Sequence, residues 1–126
     1  MATEFDRPAV VVGIGVRPGT VAEKIVHAIE SVVGDTTTIS CLATIDRRAA
    51  EPGMGAAAAM LGVPVIAFGA AQLAEVEAPY RSPLTSQSVG TPNVAEAAAL
   101  LAGKGELVCG RTVVDGVVVA VATVAG

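Results

Sequence analysis

Apolar residues along the chain fall into two kinds of run. The first kind is short, continuous and β-branched. Residues 9–15 (AVVVGIG) carry no charge, as suits a strand of a parallel sheet covered on both faces. Residues 38–45 (TISCLATI) and 63–68 are two further strands of this type. Near the C-terminus, residues 106–114 and Val117–Val124 read as strands joined by Asp115-Gly116, the dipeptide of a two-residue hairpin turn.

The second kind has helical spacing. Val21, Ile25, Ala28/Ile29 and Val32 share one face, while Glu23, Lys24, His27 and Glu30 lie towards the other. Thr20 and Glu23 have capping-box spacing, which places the N-cap at Thr20, and Gly34 closes the helix. Pro52 suits the first turn of a helix that runs to about Leu61 and ends at Gly62. Ala70–Val76 is a short helix, and residues 78–83 form a loop in which Ser82-Pro83 can open a helical turn towards Val89. Thr91-Pro92 marks one more helix start, with an Ala-rich body over residues 94–102 and Gly103 at its end. Asn93 and Glu96 are placed to complete an N-terminal cap there.

The element order alternates strand and helix before closing on a hairpin. It predicts an α/β fold: a three-layer α/β/α arrangement around a mostly parallel, mixed sheet, with the antiparallel C-terminal hairpin at or near an edge. Residues 1–8 are expected to be a flexible tail, and residues 9–126 a single domain.

Composition narrows the function. Ala and Val supply 45 of the 126 residues, so the elements are thin and can pack closely. The formal charge is −4, with 12 acidic against 8 basic residues, which argues against nucleic acid as a partner. Two Phe, one Tyr and no Trp leave little for base stacking. Residues 52–74 lack charge and could span a bilayer by length, but Pro64 and the glycines divide them into helix, turn and strand. No membrane association is expected. The first eight residues show no apolar signal segment, and a cytoplasmic location is expected. Cys41 and Cys109 sit within strands and lack metal-ligand spacing, so both are expected to be buried reduced thiols. No metal or cofactor is expected.

In sheets of this type, ligands bind beyond the carboxyl ends of the parallel strands. Three segments should gather there: residues 15–20, 44–51 and 69–71. Gly13, Gly15 and Gly19 are spaced G-x-G-x-x-x-G, a weak match to a dinucleotide fingerprint. They equally suit a tight turn, with Arg17 beside a helix N-terminus either holding an anion or solvated. Thr44, Asp46, Arg47 and Arg48 place a hydroxyl, a carboxylate and two guanidiniums at a strand end. Asp46 is the candidate general base, or else caps a turn or pairs with a neighbouring arginine. Arg47 and Arg48 suit a carboxylate fork. His27 is expected on the surface. Ser82 and Thr85 lack a base nearby in the sequence, so a nucleophilic triad is not expected.

Four blocks, in order, resemble one family. Gly13-Ile14-Gly15-Val16-Arg17-Pro18-Gly19-Thr20 is similar to the GIGCRRGT opening of the CobE / CbiG C-terminal family of cobalamin biosynthesis. Thr44-Ile45-Asp46 and Glu51-Pro52-Gly53 resemble its TID…EPG block. Residues 68–73 stand at its F(S/G)AxxL segment, and residues 90–98 resemble its GxPSVAEAAA helix start. Val16 stands where cysteine is frequent and Pro18 where arginine is frequent; Arg111 is the nearest counterpart of a basic residue in the hairpin. The resemblance implies a role with a precorrin or corrin intermediate, at the ring-contraction stage or the removal of a two-carbon fragment. The family includes cobalt-precorrin-5A hydrolase, of which this chain matches only the C-terminal domain. The candidate substrate-binding residues are therefore Gly15, Arg17, Gly19, Thr20, Thr44, Asp46 and Arg47. The alternative is a non-catalytic module that docks on other enzymes of the pathway.

Overall fold

The computed structural model describes residues 9–76 and 94–124. Strand β1 (Val10–Gly15) is central and buried along most of its length. Alternation sorts its side chains: Val12 and Ile14 enter one apolar cluster, and Val11 enters another on the opposite face. On one side β1 pairs in parallel with β2 (Ile39–Ile45), which pairs in parallel with β3 (Val65–Phe68). On the other side it pairs antiparallel with β5 (Val117–Val124), which pairs antiparallel with β4 (Lys104–Val114). The order is β3-β2-β1-β5-β4, so four strands point one way and β5 the other.

Helices α1 (Ala22–Val33) and α3 (Pro52–Leu61) cover one face, where Ile25, Ile29, Met54 and Ala57 pack on Val12, Ile14, Leu42, Val119 and Val121. Short α2 (Asp46–Ala49) follows β2 directly. Helices α4 (Ala70–Val76) and α5 (Val94–Gly103) cover the other face. The expected three-layer α/β/α fold with a C-terminal hairpin is what the chain adopts. β4 is one edge and β3 the other, and the turn between β4 and β5 has Asp115 at φ 51° and Gly116 at φ 82°, as a primed hairpin turn requires.

On the second face, the contact of α5 with the sheet is built largely of alanine. Ala95 and Ala99 of α5 meet Ala120 and Ala122 of β5, and Ala97 and Ala98 meet Val11 and Ala43. At Gly13 a Cβ would overlap the Ala95 carbonyl and crowd the Ala99 nitrogen. Gly13 therefore lies mid-strand under a helix and does not cradle a phosphate.

Several expectations need correction. Thr20 is not the cap of α1: that position is Val21, which makes no side-chain cap bond, and the Thr20 hydroxyl instead donates to the Arg17 carbonyl at 2.8 Å. The competing turn wins because Arg17-Pro18-Gly19-Thr20 has Pro second and Gly third, with Gly19 at φ 81° and the Thr20 N–H donating to Arg17. The second strand starts one residue later, after a single turn of 3₁₀ helix (Thr36–Thr38) capped by Asp35. β3 starts at Val65, and β4 starts earlier than read, at Lys104. Cys41 is buried, and burial pushes its thiol pKa up. Cys109 is only half-buried, since β4 is an edge strand. Glu96 Oε2 accepts the Arg111 backbone N–H at 2.8 Å, tying α5 to β4. Asn93, the 78–83 loop, the Ser82-Pro83 turn and the Thr91-Pro92 helix start lie outside the described residues, as do Thr85 and the 1–8 tail. Residues 52–74 divide into α3, β3 and part of α4, and no described helix is long and apolar enough to cross a membrane.

Candidate functional site

The carboxyl ends of β1, β2 and β4 and the start of β5 meet on one edge of the sheet, around a crevice of about 520 Å³. The reversed direction of β5 brings the hairpin turn to this edge. Gly15, Val16 and Arg17 leave β1 along one wall. Thr44 and Ile45 end β2, with Arg47 and Arg48 following in α2. Arg111 and Val113 come from β4, Gly116 and Val118 from the hairpin, and Val94 and Ala95 from α5. Four guanidiniums thus border one apolar-walled hollow whose described lining contains no carboxylate.

These arginines are not equivalent. Arg48 is committed: its Nε donates to the Val16 carbonyl at 3.1 Å, and one terminal nitrogen pairs with Glu51 Oε2 at 3.2 Å. Arg17, Arg47 and Arg111 are exposed, and among the described residues their guanidiniums make no hydrogen bond or ion pair. A local excess of positive charge therefore stands on a protein whose net charge is −4.

Thr44 is the buried polar side chain among the described residues, and its hydroxyl donates to the Ile14 carbonyl at 2.7 Å. It laces β2 to β1 directly beneath the crevice. Replacing Thr44 by Val keeps the shape and removes that bond. The expected loss is about 1 kcal/mol of stability in urea unfolding, and an unchanged midpoint would show that the hydroxyl contributes nothing.

Gly15, Arg17, Thr44 and Arg47 line this crevice together. Gly19 and Thr20 line an adjoining hollow of about 530 Å³ with Lys24, Asp115 and Val117; Arg17 and Gly116 border both. Asp46 lines neither. It is exposed at the start of α2, with its Oδ2 towards Gly69. His27 is exposed on α1, as expected. The sequence reading placed Glu51 in the 44–51 segment and the EPG block but gave it no role of its own, its partners lying up to 32 positions away, and gave Arg111 only a loose one. Strand polarity was the available signal for Arg111, since a β4 parallel to β1 must end on the same edge.

The model of the cobalamin synthesis G C-terminus family matches residues 10–122. Among solved structures, CobE, a protein from the cobalamin (vitamin B12) biosynthetic pathway, is 29% identical; the alignment covers 94% of this chain and 92% of that one, with a TM-score of 0.76. The cobalamin biosynthesis protein chiG from Agrobacterium tumefaciens str. C58 is 34% identical over 94% of this chain and 100% of that one, with a TM-score of 0.72. A cobalamin biosynthesis protein G homolog from Sulfolobus solfataricus, 22% identical, shares the fold at a TM-score of 0.74; 94% of this chain corresponds to 37% of that one. No curated protein sequence matches this chain. With the family match running from the first strand to the last, the chain belongs to the cobalamin synthesis G C-terminal family, a family of cobalamin biosynthesis.

Proposed function

We propose that the protein holds a corrin-type tetrapyrrole intermediate by its carboxylate fringe at the strand-end crevice. The observation that carries this reading is the gathering of Arg17, Arg47 and Arg111, whose guanidiniums make no hydrogen bond or ion pair among the described residues, around one hollow whose described lining has no acid. Corrin precursors are flat apolar macrocycles rimmed by carboxylates. Val16, Ile45, Val94, Val113 and Val118 offer apolar walls for the ring, and planar guanidiniums match its rim in forked pairs. The adjoining hollow, with Lys24 on its border, gives a large ligand room to lie across both. In this reading the intermediate belongs at or near ring contraction, as the family resemblance implies. The groups facing the crevice suit holding and orienting; Asp46, the candidate base, stands outside the lining.

Titration with hydrogenobyrinic acid at low salt tests the proposal. The expected result is a saturable change in the corrinoid visible spectrum that weakens as salt rises. A flat difference spectrum at high micromolar corrinoid overturns it. The second reading, a docking module, draws on exposed Val108 and Val113 of edge strand β4. Capture of a pathway methyltransferase by a protein that binds no free corrinoid would favour that reading.

A further inference from the structure

The loop that carries Arg17 is held from outside by the segment that follows β2. Glu51 Oε1 accepts the Gly19 N–H at 2.8 Å, and Glu51 Oε2 accepts from Arg48, whose Nε donates to the Val16 carbonyl. Two residues on, Gly53 lies so close to Thr20 that a Cβ would overlap the Thr20 carbonyl. Three contacts thus fix residues 16, 19 and 20 on both sides of Arg17.

The position of Glu51 makes this arrangement informative. It is the N-cap of α3, where a short Ser, Thr, Asp or Asn side chain would normally satisfy the helix's own N–H groups. Glu51 makes no such cap bond, and its longer side chain reaches across to another loop. Pro52 at the first helical position has no N–H to satisfy, which eases the omission. Glu51 lines neither hollow.

We infer that Glu51 is a positioning residue, which holds the 16–20 loop so that the Arg17 guanidinium stays at the crevice, without itself touching what binds there. The inference rests on the binding site proposed above, and its test separates the two. Glu51→Ser installs a favoured cap on α3 and removes the reach to Gly19. Glu51→Gln keeps an acceptor for Gly19 and loses the charge facing Arg48. Hydrogen exchange of the Gly19 amide and melting temperature are measured for all three proteins, and hydrogenobyrinic acid affinity beside them. The expected result is a Gly19 amide that exchanges at least tenfold faster in the Ser variant, with melting close to wild type. Its affinity falls about tenfold, and the Gln variant recovers most of both. A Gly19 amide equally protected in wild type and the Ser variant, or a Ser variant with full affinity, overturns the positioning role. Wild type that binds no corrinoid while Gly19 still depends on Glu51 overturns the proposed ligand and leaves the loop clamp standing.

Discussion

Gly13→Ala is expected to be the most damaging glycine-to-alanine change among the described residues. A Cβ there meets backbone, the carbonyl of Ala95 and the nitrogen of Ala99, and not the movable end of a side chain. Relief requires the whole of α5 to lift from β1, and with it the Ala95 and Ala99 contacts to Ala120 and Ala122. Overpacking a tight core costs typically ~1–3 kcal/mol, and the clash with backbone places this case at about 3 kcal/mol or beyond. Against a total stability of roughly 5–15 kcal/mol, that is a large share. Gly15→Ala is the control. Its Cβ would stand 3.4 Å from the Val118 Cβ, an ordinary contact, and the change should move stability by less than about 1 kcal/mol. Urea unfolding of the two variants checks the pair. A Gly13→Ala midpoint equal to wild type would mean that α5 does not sit on β1 as closely as described.

Removing the guanidiniums should be the largest effect on binding. Arg17→Ala and Arg47→Ala each delete a charged donor with no protein partner among the described residues, so neither leaves a stranded charge behind. A hydrogen bond to a charged group is worth about 1.5–3 kcal/mol, and each variant should bind hydrogenobyrinic acid roughly 10- to 100-fold more weakly at low salt. Both side chains are exposed, so the deficit should shrink as salt is added. The double variant distinguishes two arrangements. Additive losses mean separate carboxylates, and a double loss smaller than the sum means one shared group. His27→Ala, an exposed change on α1 at a residue that lines neither hollow, should bind as wild type does. Wild-type affinity in both arginine variants would remove the crevice as the binding site.

Much of the fold was legible because its signals are local. The β-branched runs, Gly34 and Gly62 at helix ends, Pro52 at a helix start and Asp115-Gly116 at the hairpin each act over a few residues, and each does in the structure what its chemistry predicts. The capping box failed for a local reason too. Pro18 and Gly19 form a turn that takes the Thr20 hydroxyl before α1 can use it. What stayed hidden depends on contacts across the fold. Gly13 resembled part of a nucleotide loop until the helix above it was placed. Asp46 and Arg47 are adjacent in the chain, yet a helix begins at Asp46 and only Arg47 borders the hollow. Glu51 acts over 32 positions, beyond any periodicity. The strand-end rule pointed to the edge of the sheet at which the crevice lies, and the register of β4 and β5 decides which side chains reach it.

The lone reversed strand has an architectural consequence. Because β5 starts where its neighbours finish, the hairpin tip stands at the rim, with Gly116 bordering both hollows and Asp115 bordering the second. Extra residues spliced in at that tip would raise a parapet over the basin and leave the layers below untouched. The same bend is thus where the width of the crevice mouth could be changed without rebuilding the scaffold.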